Sequence, residues 1–213
     1  MRLLRSVIYA IRVSAAFMGM SKYGIKRGYL HRHKVIPFRD EANADEYQKE
    51  VYAAAKNLYD EKGLKGILDI GCGSAYKLLA NFQDCPMAGV ELSTDWLIVK
   101  YPSQTWFAFS DEAWKQFPAE LIICADVIEH VENPDVLLNS ILENPNAKYY
   151  VFSTPDRNLD TSPWKFGPPN NESHFREWTF EEFEKYMSGY FKILDHTISN
   201  FEQRTQMLIA ERK

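Results

Sequence analysis

Along the chain the spacing of apolar positions changes several times, and each change predicts a different kind of element. From Leu3 to Met18 they recur at helical intervals (Leu3, Leu4, Val7, Ile8, Ile11, Ala15), with Arg5 and Arg12 between them. That spacing predicts an amphipathic helix. Residues 19–40 lose the periodicity and read as a loop or lid. A second helical stripe runs from Ala42 to Tyr59 through Ala44, Tyr47, Val51, Ala54, Ala55 and Leu58, with a stop at Gly63. Beyond Gly63 short apolar runs take over: GILDI, PMAGVE, TWFAF, ELIICAD and KYYVFST read as five buried strands, the first four each followed by a helical stretch. Alternation of this kind predicts a parallel sheet covered by helices on both faces. Two helix starts carry local signals: Asn133 as N-cap before Pro134, and Thr179 with Glu182 as a capping box. FKILDHTIS and RTQMLIAER close the chain as an antiparallel hairpin.

Length and composition narrow the class. With 213 residues, 46 % of them hydrophobic and 25 % charged, the chain suits one globular core and excludes fibrous, disordered and disulfide-stapled types. The net charge of -4 conceals an asymmetry. Residues 1–39 hold nine of the 25 Lys and Arg and none of the 29 Asp and Glu, so residues 40–213 carry 16 against 29, a net of -13. The body is a poor partner for nucleic acid, while the basic arm suits a membrane surface, a phosphate-bearing substrate or an acidic partner. Three widely spaced cysteines, Cys72, Cys85 and Cys124, form no metal or disulfide pattern and fit a reducing, cytoplasmic setting. Arg12 interrupts the apolar run of the first helix, which is shorter than the roughly 20 residues that span a bilayer. Peripheral contact with the inner membrane face through residues 1–39 is the membrane role that remains.

The segment ILDIGCGSA, Ile67–Ala75, is a strand running into a glycine turn and a helix, where the backbone turns sharply and a ligand can approach closely. A nicotinamide or flavin fingerprint requires glycine or alanine at position 76, which is Tyr76. The chain resembles instead the class I S-adenosylmethionine-dependent methyltransferases, whose first motif is matched by Asp69, Gly71, Gly73 and Ala75, the last replacing a commoner glycine. The resemblance implies a doubly wound, Rossmann-like α/β fold of seven strands over residues 42–213, with residues 1–41 as a helical extension. It further implies S-adenosylmethionine as cofactor, held by Asp69, Gly71, Cys72, Gly73, Ala75, Glu91, Leu92, Asp111 and Ala125. Glu91, 22 positions after Asp69, takes the place of the carboxylate on the ribose hydroxyls, and Asp111 that of the acidic residue near the adenine amino group.

Acceptor chemistry belongs near the carboxyl ends of the fourth and fifth strands, where Asp126, Glu129, His130, Asp156 and the segment 166–178 fall. Gly167, Pro168, Pro169, Asn170, His174, Arg176, Glu177 and Trp178 are similar to a subgroup of methyltransferases of bacterial surface-glycan systems, as is the upstream Asp45, Glu46, Tyr47 and Glu50. That likeness implies a sugar or glycolipid hydroxyl as acceptor, with Trp164, Phe166, Phe175 and Trp178 as apolar faces against the sugar. A second likeness is to the methyltransferases of the 3′-terminal ribose of small RNAs, in which two carboxylates and two histidines bind a divalent metal. Asp126, Glu129 and His130 share one face if residues 126–130 are helical, and His174 precedes REW. The Asp126 position departs from that pattern, so we read the site as metal-free, with His130, His174 and Asp126 as acid-base or substrate-orienting residues. A quinone-type acceptor competes with the glycan and RNA readings, and a cofactor-binding module without transferase activity competes with all three. Arg176 is expected to pair with Glu177 or Glu172 or to orient a substrate, and His31 and His33 to be solvated.

Overall fold

The computed structural model describes residues 2–19, 21–36, 47–161 and 165–213. The predicted starting residues Ala42 and Ala44 of the second helix, and Arg39, Asp45, Glu46 and Trp164, lie outside the described residues. Seven strands form one sheet: β1 Ile67–Ile70, β2 Met87–Glu91, β3 Thr105–Ala108, β4 Leu121–Ala125, β5 Tyr149–Pro155, β6 Phe191–Asn200 and β7 Thr205–Arg212. Their order is β3-β2-β1-β4-β5-β7-β6. The first five are parallel, and β7 runs antiparallel to both β5 and β6, which gives the expected terminal hairpin.

The apolar runs bury on two faces because successive strand side chains point to opposite sides. In β4, Ile122 and Cys124 join Leu68, Ile70, Tyr150 and Phe152 on one side, packed under α5 (Pro134–Leu142) and α6 (Phe180–Met187). Leu121 and Ile123 join Ile67 and Val151 on the other, under α2 (Lys49–Lys62), α3 (Tyr76–Phe82) and α4 (Asp95–Lys100). The helix α1 spans Arg2–Phe17.

Both local start signals hold. The Asn133 side chain accepts from the Asp135 N–H, and Thr179 and Glu182 exchange both capping-box bonds. One expected helix is absent: between β3 and β4 the chain makes only a 3-10 turn, Glu112–Gln116. Trp114, wholly buried, pins that turn by donating from Nε1 to the Phe109 carbonyl at 3.1 Å, and Pro118, which has no N–H, prevents extension.

Residues 21–36 form a strap that is part of the core. Ile25 is fully buried and Tyr29 and Leu30 nearly so. The backbone N–H groups of Leu30, Arg32 and Ile36 donate to the carbonyls of Phe166, Phe175 and Glu172. Trp178 Nε1 donates to the Tyr23 carbonyl at 2.7 Å, and the Glu177 N–H to the Tyr29 hydroxyl at 2.9 Å. The strap thereby anchors the loop that follows β5.

Candidate functional site

The order reverses between β1 and β4, and the crevice outside the carboxyl ends of two such strands is the ordinary ligand position of a doubly wound sheet. Gly71, at φ +74°, makes the turn after β1; a Cβ there would stand 2.4 Å from Cγ2 of Val127, in the turn after β4. Only glycine lets the two turns meet this closely. Gly73 and Ala75 also take positive φ, 50° and 57°. Cys72 packs its sulfur behind the turn against Gly89, where an added Cβ would be 2.6 Å from Sγ, so its backbone faces the crevice, and burial pushes its thiol pKa up.

Glu91 ends β2 with both oxygens oriented: Oε2 accepts from the Gly73 N–H at 3.1 Å and Oε1 from the Leu92 N–H at 2.7 Å. Each oxygen keeps a lone pair for a hydroxyl. Leu92 beside it is 82 % exposed, an apolar face open at the crevice. Asp69 is fully buried; its Oδ2 accepts from the Tyr52 hydroxyl at 2.7 Å, while Oδ1 has no partner. Burial raises its pKa to about 7 against the lowering by Tyr52 and Lys77. Asp111 caps the 3-10 turn through the Ala113 N–H, and the Ala125 carbonyl accepts from Gln48 Nε2 at 3.4 Å. An orphaned buried carboxylate oxygen, an oriented surface carboxylate and a turn without a Cβ fit an adenosine-linked amino acid that brings hydroxyls and an ammonium group.

Beyond β4 the structure departs from the expected helical face. Asp126 takes φ +51°, and only Ile128–His130 form a 3-10 turn. The Asp126 carboxylate is bound by Ser153 Oγ at 2.6 Å and Gln48 Nε2 at 3.0 Å, which makes it a brace for the crevice wall. The residues brought together are Glu129, His130 and His174, which offer one donor atom each within 4.8 Å of the other two. His130 and His174 meet edge to face, with ring centroids 4.6 Å apart. His130 Nδ1 lies 3.0 Å from the Ser173 carbonyl, which can only accept, so Nδ1 carries the proton. His174 Nδ1 faces Glu177 Oε1 at 2.7 Å, and its Nε2 accepts from Asn171 Nδ2 at 3.0 Å. Glu129 is fully buried; Thr154 Oγ1 donates to Oε2 at 3.0 Å, and Oε1 has no partner. Burial and the Asp126 carboxylate push the Glu129 pKa up, and burial lowers that of His130 to about 4.

Several residues of the loop serve the fold where a substrate role was expected. Trp178 is wholly buried and stacked on Tyr186, because its indole completes the core under α6. Phe166 packs on Phe17 of α1. Arg176 pairs with neither Glu177 nor Glu172; its Nη1 and Nη2 donate to the carbonyls of Val131 and Glu132, each at 2.6 Å. Asp156 caps the short turn Arg157–Leu159. His31 is half-buried, with its Nδ1 enclosed, and only His33 is exposed. Gln48, Tyr52 and Ser153 carried no sequence signal, since their partners lie 17 to 78 positions away, whereas Glu177, part of the REW arrangement, meets His174 three positions before it.

A cavity of about 670 Å³ lies at the opposite ends of the strands, lined by Lys65, Glu120, Lys148 and Arg212 among others. Lys148 and Glu120 pair there at 2.5 Å, and none of its lining residues belongs to the crevice.

Comparison with known proteins bears on the family of the chain. A family model described as a methyltransferase domain matches residues 38–198. No curated protein matches the chain. Among solved structures, the chain is similar to the methyltransferase domain of bacterial CtHen1, with 18 % identity, a TM-score of 0.53, and coverage of 77 % of this chain and 98 % of that one. It is also similar to the small RNA methyltransferase HEN1, at 20 % identity and TM-score 0.58, over 84 % of this chain and 27 % of that one. A third likeness is to magnesium protoporphyrin IX methyltransferase from Synechocystis PCC 6803 with bound S-adenosylmethionine, at 18 % identity and TM-score 0.51, over 78 % and 80 %. At these identities the structures show a shared fold, while the family model spans most of the sequence: the chain belongs to the methyltransferase-domain family and is an S-adenosylmethionine-dependent methyltransferase.

Proposed function

We propose that the enzyme methylates a hydroxyl of a carbohydrate or glycolipid acceptor seated over Glu129, His130 and His174. The observation that carries this reading is the convergence of one buried carboxylate and two imidazoles within 4.8 Å, on the turn after β4 and the loop after β5. Bound S-adenosylmethionine supplies an electrophilic methyl group on sulfur. The residues that hold it are Asp69, Gly71, Cys72, Gly73, Ala75, Leu92, Asp111 and Ala125, with Glu91 on the ribose hydroxyls. A hydroxyl is a weak nucleophile, so the chain must accept its proton. His174 does so at Nε2 once the acceptor hydroxyl takes the place of the Asn171 amide there, while Glu177 across Nδ1 stabilises the imidazolium that forms, and His130 packs against its edge. Positioning of the acceptor supplies much of the remainder. The net -13 of residues 40–213 supports a glycan over a polyanionic RNA.

A second reading has one specific observation in its favour. Glu129 Oε1 is buried, unpartnered and within the same cluster, and a divalent cation on Glu129, His130 and His174 would compensate it while acidifying the hydroxyl. Labelled donor is offered extracted glycolipids or small RNA, with and without chelator. Label in the glycolipid fraction that survives chelation supports the first reading. Loss in chelator with recovery on adding magnesium or manganese replaces it with the second, and label in RNA alone overturns the glycan acceptor.

Placement of the enzyme at the cytoplasmic membrane face belongs to the same proposal. No helix among the described residues is long and apolar enough to cross a membrane. On α1, however, Val7, Ile8 and Ile11 are exposed between Arg5 and Arg12, which suits a helix lying in the headgroup plane. Cosedimentation with anionic vesicles should be lost in the double variant Ile8→Asp, Ile11→Asp; sedimentation that persists would remove α1 from that role.

A further inference from the structure

Between the strap and the loop after β5 lies a second cavity, of about 390 Å³, outside the cofactor crevice. It is lined by Lys22, Tyr23, His31, Arg32, His33, Glu132, Asn133 and Arg176. Three of these carry permanent positive charge, and exposed Glu132 is the one carboxylate. Among the described residues no carboxylate lies within ion-pair distance of Lys22, Arg32 or Arg176.

The cationic groups are held in place by neutral partners. Arg176 is only 2 % exposed; its two terminal nitrogens are tied to the carbonyls of Val131 and Glu132, and its guanidinium lies 4.7 Å over the Tyr23 ring. Arg32 donates from Nη2 to the Pro169 carbonyl at 2.6 Å. His31 is wedged edge-on between Tyr23 and Tyr29. Three nitrogens of these residues, Arg176 Nε, Arg32 Nε and His31 Nδ1, are buried with no hydrogen-bond partner. Buried charge without a counterion and buried donors without acceptors are both costly, and one multidentate anion relieves them together. Asn133 is the N-cap of α5, at the end of the helix whose dipole favours negative charge.

We propose that this cavity is a binding site for a phosphate group, presented either as free phosphate or in a phospholipid headgroup. Phosphate supplies several acceptor oxygens to guanidinium, imidazole and ammonium groups at once. The site stands apart from the cofactor crevice, so it does not depend on which hydroxyl is methylated.

Calorimetry on the full chain tests it, with inorganic phosphate in one arm and soluble dihexanoyl phosphatidylglycerol in the other, on the wild type, Lys22→Gln and Arg32→Gln. The expected result is binding in at least one arm, weakened about tenfold in each variant by loss of one charge-assisted contact. Phosphate binding identifies the free ion as a ligand, and lipid binding without phosphate binding identifies the headgroup; both support the site. No binding in either arm, or binding undiminished in both variants, overturns it. Should Arg32→Gln fail to melt cooperatively, Lys22→Gln, whose side chain is exposed, decides. Titration with S-adenosylmethionine in the same samples reports on the methyltransferase site independently.

Discussion

Asp69 shows how a single buried atom ties pH to stability and ligand binding. Its folded pKa of about 7 lies above the ordinary 3.8, so the folded state keeps a proton that the unfolded state gives up. Its contribution is therefore full below pH 3.8 and lost as pH rises toward about 7, an effect of a few kcal/mol. Melting of the ligand-free protein across that range should show a fall in wild type that is reduced in Asp69→Asn; parallel curves would mean that burial does not perturb Asp69. In the proposed cofactor site Glu91→Ala removes the acceptor for two ribose hydroxyls and should weaken S-adenosylmethionine binding about a hundredfold or more by calorimetry, with cooperative melting retained. His174→Ala should lower turnover about 10²–10⁴-fold at unaltered cofactor affinity; full turnover would remove it from proton transfer. Asp69 and Gly71 were legible in the sequence because the turn that places them is local, and Glu91 because it ends the next apolar run. Gln48 was not, because its role depends on an Asp126 carboxylate 78 positions away and on the left-handed turn that presents it.

At the scale of elements, legibility follows the range of the forces involved. Asn133 and Thr179 satisfy N–H groups two or three residues onward, so residue type at the right offset suffices. Asn133→Ala and Thr179→Ala should each cost about 1 kcal/mol, seen as a lower urea midpoint at constant slope. The segment after β3 defeated the same reasoning, since a buried Trp114 and nearby Pro118 override its helical pattern. Likewise, the i, i+3, i+4 spacing of Asp126, Glu129 and His130 suggested a shared face. The left-handed turn at Asp126, held by Ser153 and Gln48, breaks it and directs Glu129 and His130 toward His174.

In the whole molecule, the N-terminal segment divides into two physically different parts. α1 touches the body through Phe17 on Phe166 and the Tyr9 hydroxyl, which accepts from the Phe166 N–H at 2.9 Å, and leaves its apolar Val7, Ile8 and Ile11 exposed. The strap 21–36 contributes Ile25 and Tyr29 to the main core. Removal of residues 1–19 should leave a protein that melts cooperatively and binds S-adenosylmethionine. Removal of residues 1–36 should abolish cooperative melting, because large buried side chains are worth about 2–5 kcal/mol each against a total of about 5–15. A folded, cofactor-binding product of the longer deletion would show the strap to be a dispensable lid.

Alternating apolar runs by themselves determined the layered sheet, its strand sequence and closing hairpin, and the glycine turn with its trailing carboxylate marked the end of the sheet where we propose the cofactor. These features follow from backbone periodicity and short-range turn geometry, which residue types encode directly. Tertiary structure alone decided that Trp178 is core, that Arg176 braces carbonyls, that Glu129 meets two histidines and that the strap's cations enclose a cavity. Each of these depends on which distant groups share a buried volume, and burial sets the energy of a charge or an unpaired donor only after the chain has closed around it.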